Sequence, residues 1–188
     1  VALCEANALV KETKDRVADD FRLTCSKGNG YSENETEEAS LYSKAVAVML
    51  ACAMSKTTDY WSSICSWHNS KELIRNTFGR QAIPLTWDFA ETNPFSDSTG
   101  NISSGIKWVA KALETLPSRG LGAALQGDAQ SQMISSGKYV STDPPYYDNI
   151  GYAALSDFFY GWLRQSLKTV YPELFSTISV PKSDELVA

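Results

Sequence analysis

The stretch from Ala39 to Trp67 constrains this chain's fold more than any other feature. It keeps helical spacing yet is apolar on most sides, through Ala45-Val46-Ala47-Val48-Met49-Leu50. A helix of that kind is stable only when neighbours cover several of its faces, so the rest of the chain has to supply packing elements. Residues 1–24 read as an amphipathic helix, with Leu3, Val10, Val17 and Phe21 near helical spacing. A second long helix is predicted from about Ala153 to Thr169. Its wide apolar face is made by Leu155, Phe158, Phe159, Trp162, Leu163 and Leu167, with Val170 following. A chain of 188 residues, 43% of them hydrophobic, is long enough to bury a core around such helices. The longest apolar run, Ala45 to Met54, is too short to span a bilayer. No basic-then-apolar signal segment opens the sequence. The expectation is a cytoplasmic protein with no membrane partner.

Between the helices, Lys27-Gly28-Asn29-Gly30-Tyr31-Ser32 is a turn, and Glu33 to Glu38 is a solvated acidic start to the next helix. Asn69 or Ser70 is placed to cap a short helix over Lys71 to Gln81, closed by Pro84. Leu85 to Ser98 reads as a loop, unusually rich in aromatics through Trp87, Phe89 and Phe95. Ser103 or Ser104 then caps a helix carrying Ile106, Val109, Leu113 and Leu116, ended by Pro117. Residues 1–100 are thus expected to form a mainly helical lobe. After Gly122 the texture changes. Ala123-Ala124-Leu125-Gln126 and Lys138-Tyr139-Val140-Ser141-Thr142 are strand candidates, followed by the Ala153 helix. Strand, crossover, strand, helix is the order of a parallel sheet, so residues 101–188 are predicted to be part of an α/β domain.

The charge balance, 17 Lys+Arg against 22 Asp+Glu, gives a net charge of −5. That excludes a blanket electrostatic grip on nucleic acid and leaves room for a local basic patch. Lys71, Arg75 and Arg80 are such a cluster, although a solvated charged face is the commoner use of that pattern. The cysteines at 4, 25, 52 and 65 have no two-residue spacing, and His68 is the single histidine. No zinc site and no histidine-based nucleophile arrangement follows from them, and buried, reduced thiols are expected. His68 reads as structural, and no metal is expected.

Asp143-Pro144-Pro145-Tyr146 carries the chemistry. At average usage this tetrapeptide arises by chance in about one chain in a thousand of this length. It follows a β-rich pentamer, which would place it at the carboxyl end of a strand, where open α/β sheets hold ligands. Two prolines fix their φ angles and remove two backbone donors, leaving carbonyl oxygens that only accept. Together, an ionised Asp143 carboxylate and the Pro144 carbonyl can receive both hydrogens of an exocyclic amino group. That localises the nitrogen lone pair and makes it a better nucleophile. Tyr146 offers a flat face for an unstacked base. The competing reading is a tight proline turn capped by an aspartate.

This tetrapeptide resembles motif IV of the S-adenosylmethionine-dependent amino-methyltransferases. The stretch Thr142-Asp-Pro-Pro-Tyr-Tyr-Asp-Asn-Ile-Gly-Tyr152, then Leu155-Ser-Asp-Phe-Phe-Tyr-Gly-Trp-Leu-Arg164, resembles the DUF1156 family of adenine-specific DNA methylases. Ile74-Arg-Asn-Thr-Phe-Gly-Arg-Gln-Ala82 and Trp87-Asp-Phe-Ala-Glu-Thr-Asn-Pro-Phe-Ser96 are similar to it as well. The resemblance spans most of residues 40–188. It implies a partial Rossmann-like methyltransferase domain acting on DNA, with S-adenosylmethionine as cofactor. Asp143, Pro144, Pro145 and Tyr146 would orient and stack the target base. Asp128, in Gly127-Asp128-Ala129, is similar to the acidic position that contacts the adenine of the methyl donor. The family's glycine-rich turn has no counterpart after a strand here: Gly28-Asn29-Gly30 and Gly120-Leu121-Gly122 read as punctuation. Its zinc ribbon is not matched by these cysteines either.

The reaction implied is in-line attack of the adenine amino nitrogen on the sulfonium methyl group, giving N6-methyladenine. No strong general base is needed before attack, so Asp148 and Asp157 receive no catalytic role, and Arg164 can face a phosphate or pair with an acid. The alternatives are the same chemistry on cytosine N4, RNA guanine N2 or a protein glutamine, or a non-catalytic interaction module of a modification or defence complex. Pro181 to Ala188 resembles a helix just opening, with Ser183 as N-cap and two acids in its first turn. With the missing glycine turn, this predicts that the chain is a carboxyl-side piece of a longer polypeptide, inactive when isolated.

Overall fold

The computed structural model describes residues 2–25, 33–87, 89–116, 122–144 and 150–183. Its element order is α1 (Ala2–Cys25), α2 (Glu33–Trp61), a short hairpin of β1 (Ser66–His68) and β2 (Leu73–Arg75), α3 (Ile102–Thr115) and α4 (Tyr152–Leu167). The turn expected over 27–32 and the acidic residues after Ser183 lie outside the described residues.

Helix α2 is the spine, contacting α1, α3 and α4, as its all-round apolar pattern requires. The stripe it buries is made of small side chains. Ala39, Ser43, Ala47 and Ala51 recur every four residues, and Met54 and Thr58 continue the line. Small residues at that spacing allow neighbouring backbones to come close, and the larger Val46, Val48 and Leu50 are only half-buried. Helix α1 answers with Ala6, Asn7, Val10 and Ala18, while Phe21 stacks on Tyr42 at 5.4 Å between ring centroids. The central cluster joins Ala6 and Val10 of α1, Ala47, Ala51 and Met54 of α2, Leu167 of α4, and Phe175 beyond it. Asn7 and Ser166 are hydrogen-bonded to each other inside this interface. A buried pair satisfied in this way avoids the cost of a stranded polar group.

Helix α3 starts two residues earlier than its serines suggested. Asn101, not Ser103 or Ser104, is the N-cap: its Oδ1 accepts from Ser104 N at 2.8 Å. The backbone N–H of Leu116 closes the last turn on Ala112 and Leu113, and Pro117 lies outside the described residues. The phenyl rings of Phe158 and Phe159 on α4 clasp Phe78 at 5.1 and 5.3 Å, so the wide apolar face of that helix faces inward as expected.

Two sequence expectations fail. The helix predicted over Lys71 to Gln81 is instead the second half of an antiparallel hairpin, with Trp67 opposite Ile74 and Ser66 opposite Arg75. Asn69 and Ser70 shape its turn and cap no helix. Glu72, at φ 49°, takes the left-handed conformation that closes the loop. The alternation of Leu73, buried Ile74 and exposed Arg75 outweighed the capping signal.

The second correction is larger. The described residues hold no parallel sheet, and the protein is mainly helical, with a single two-stranded antiparallel sheet among them. It is not a Rossmann-like α/β domain. Residues 123–126 and 138–142, predicted as strands, are irregular and exposed. Leu125, Tyr139 and Val140 stand in solvent, Tyr139 fully so. A strand is held by hydrogen bonds to a neighbouring strand and by burial of one face. Neither is supplied to these runs by the described residues. No described helix is long and apolar enough to cross a membrane.

Candidate functional site

From Gly122 to Pro144 the chain crosses the surface held mainly by local turns. Asp128 organises the first of them. Its Oδ1 accepts the Gln130 backbone N–H at 3.0 Å and its Oδ2 the Ser131 hydroxyl at 2.7 Å, while its carbonyl accepts from Ser131 and Gln132. The Gln130 bond, then the Ser131 bond, holds the Asp128 carboxyl below its ordinary range. Gln132 and Ser135 exchange a further pair of hydrogen bonds. Asp128 is therefore a turn-former at the surface, and it does not stand at a strand end.

Asp143 and Pro144 are exposed on irregular chain at the end of this segment. Among the described residues nothing donates a hydrogen bond to the Asp143 carboxylate, and no cation pairs with it. The first backbone N–H groups that an aspartate-capped proline turn could offer that carboxylate belong to Tyr146 and the residue after it, because Pro144 and Pro145 have none. Pro145 and Tyr146, with Asp148, lie outside the described residues.

Asp128 and the acceptor pair do not fit S-adenosylmethionine by themselves. Both oxygens of Asp128 already hold turn hydrogen bonds, and no sheet edge or glycine-rich turn is built beside it among the described residues.

The other singled-out residues are structural. Asp157 accepts Val180 N at 2.8 Å and Lys182 Nζ at 2.6 Å, tying the tail to α4. The Lys182 hydrogen bond, with that of Val180, lowers its carboxyl below the ordinary value. Arg164 pairs with no acid among the described residues, and its Nε donates to the Thr177 carbonyl at 2.8 Å. His68 sits in β1 with Nδ1 3.2 Å from Ser70 Oγ. All four cysteines are free, but Cys4, Cys25 and Cys52 are exposed and only Cys65 is buried, which corrects the expectation of buried thiols throughout. No cluster of metal-ligating side chains occurs among the described residues.

Sequence reasoning missed the polar knot that anchors the hairpin to α2. Thr77 Oγ1 donates to the Asp59 carbonyl at 2.8 Å and meets Ser62 Oγ at 2.6 Å. Cys65 Sγ lies 3.5 Å from the same hydroxyl. The Asp59 carboxylate accepts Asn76 Nδ2 at 2.9 Å and Phe78 N at 3.0 Å. These partners are 12 to 19 residues apart, and no local periodicity announces such a match.

No protein-family model, curated protein or solved structure matches the chain. The DUF1156 resemblance rests on the segments quoted above.

Proposed function

We propose that this chain provides the amine-orienting side of an S-adenosylmethionine-dependent adenine-N6 DNA methyltransferase, with the donor held by residues other than those described. The observation that carries the reading is the Asp143-Pro144-Pro145-Tyr146 motif, with Asp143 and Pro144 exposed. A carboxylate and a proline carbonyl side by side are two acceptors with no donor between them. An exocyclic amino group has two hydrogens to give, and both acceptors strengthen their bonds as positive charge builds on nitrogen during methyl transfer. Interactions that tighten in the transition state accelerate the reaction. In this reading Tyr146 stacks the base after it has left its helix, and Asp128 keeps a supporting place through the turn it builds upstream of the motif.

The test is transfer of labelled methyl groups by the intact protein to DNA, RNA and protein substrates, with the product nucleoside identified by mass spectrometry. N6-methyladenine in DNA supports the reading. Label in cytosine, guanine or a glutamine amide moves the same chemistry to another substrate. No transfer to any of them leaves the interaction-module alternative. Titration calorimetry of this chain with S-adenosylmethionine should show binding weaker than about 1 mM, a free energy short of about −4 kcal/mol.

A further inference from the structure

The hairpin and the chain that follows it enclose an open cavity of about 470 Å³, lined among others by Ser66, Arg75, Asn76, Arg80, Pro84 and Leu85. Two arginines, Arg75 and Arg80, line this cleft, and no Asp or Glu is among its described lining residues. The acid that enters this corner, Asp59, is already engaged through both oxygens by Asn76 and Phe78. The ion pairs among the described residues are all elsewhere. Gly79 contributes to the geometry. A Cβ there would stand 2.9 Å from Arg75 Nε and 3.3 Å from Cζ, so the bare backbone lets the Arg75 guanidinium lie flat against it. In a chain of net charge −5, this is a local reversal of sign whose cations have no ion-pair partner among the described residues.

We propose that this cleft binds the phosphodiester backbone of nucleic acid, with Arg75 and Arg80 each contacting phosphate. A guanidinium presents parallel N–H donors that match two phosphate oxygens. Side chains of this kind set register and orientation on the polymer, and base contacts specify sequence. A polynucleotide is favoured over a free phosphate because Leu85, on the cleft wall, leads within a few residues to Trp87 and Phe89. These are exposed at 93% and 69%, and such flat faces can stack bases. The choice of nucleic acid as the polyanion rests on the methyltransferase reading, and the cleft itself rests on its own geometry.

The experiment is fluorescence anisotropy of the intact protein with a short labelled DNA duplex and with the matching single strand, across a salt series. R75Q/R80Q should weaken binding about tenfold at low salt and flatten the slope of log K against log salt by about two, since each lost phosphate contact removes close to one unit. Gly79→Ala keeps both charges but displaces Arg75, and it should weaken binding by a smaller factor. K107Q/K111Q, which removes two exposed cations on α3, should change neither quantity by a comparable amount. Thermal denaturation verifies that each variant is folded. Equal losses from the α3 and cleft variants, an unchanged slope in R75Q/R80Q, or displacement of DNA by millimolar inorganic phosphate alone would each overturn the proposal. DNA binding lost in R75Q/R80Q while the Asp143 variant transfers methyl groups normally would retain the cleft and remove the catalytic reading. The reverse pattern would remove the cleft alone.

Discussion

Gly105, in the first turn of α3, packs directly against Ala53 and Thr57 of α2, and replacing it with alanine tests this packing. In an open helix Gly→Ala stabilises by about 1 kcal/mol, because alanine loses less backbone entropy. Here the new Cβ would lie 2.7 Å from Thr57 Cγ2 and 3.2 Å from the Ala53 carbonyl oxygen. Thr57 is buried, and its hydroxyl is bonded to the Met54 carbonyl, so a rotamer change would forfeit that bond. Overpacking of this kind costs about 1–3 kcal/mol. The clash outweighs the propensity gain, and Gly105→Ala should destabilise by about 1 kcal/mol, a fall in Tm of about 2–4 °C for a chain of this size. Thr57→Ser deletes the offending methyl and keeps the hydroxyl. In that background the alanine substitution should become neutral or slightly stabilising. Urea denaturation of the four proteins in the cycle should yield a coupling of about 1–2 kcal/mol. If Gly105→Ala raises Tm equally in both backgrounds, α2 and α3 are not in the contact described.

Two further outcomes follow from the same geometry. Thr77→Val, nearly isosteric, strips the buried hydroxyl that links Asp59, Ser62 and Cys65, and should cost about 1–3 kcal/mol; an unchanged urea midpoint would show that the knot does not anchor the hairpin. Asp157 has its carboxyl lowered from 3.8 by Lys182 and Val180, so its contribution is complete above that ordinary value and is lost as pH falls through the lower folded value. The Val180 amide resonance should therefore titrate below pH 3.8 in the wild type and lose this transition in Asp157→Asn; a midpoint above 3.8 would contradict the tether.

The helices were legible because each one carries its burial pattern locally. Leu3, Val10 and Val17 announced α1, and the aromatic run from Phe158 to Trp162 announced α4. The all-round apolarity of α2 correctly required several neighbours, although the stripe it buries is the small-residue line of Ala39, Ser43, Ala47 and Ala51. The hairpin was misread because capping residues and turn residues are the same types: Asn69 and Ser70 serve either role. The strands failed for a different reason. Tyr139, Val140 and Thr142 are good β-formers, but a strand is a statement about a neighbour, and the described residues provide none. At the candidate site, the sequence offers Asp143 and Pro144 as residue types, and the structure adds that both are exposed. The charges of Arg75 and Arg80 stand out in the sequence, but the Asp59–Thr77 knot and the cleft that the two arginines line do not, because both depend on the hairpin and where it docks.

In the proposed reaction the Asp143 carboxylate orients the amine that receives the methyl group. The most direct test of this role is single-turnover methyl transfer to DNA by the intact protein and its Asp143→Ala variant, at matched thermal stability and matched DNA affinity. Loss of a transition-state acceptor predicts a rate lower by about 10²–10³, with Asp143→Asn falling between the two because it keeps one acceptor oxygen. An alanine variant that transfers methyl groups at the wild-type rate would contradict it.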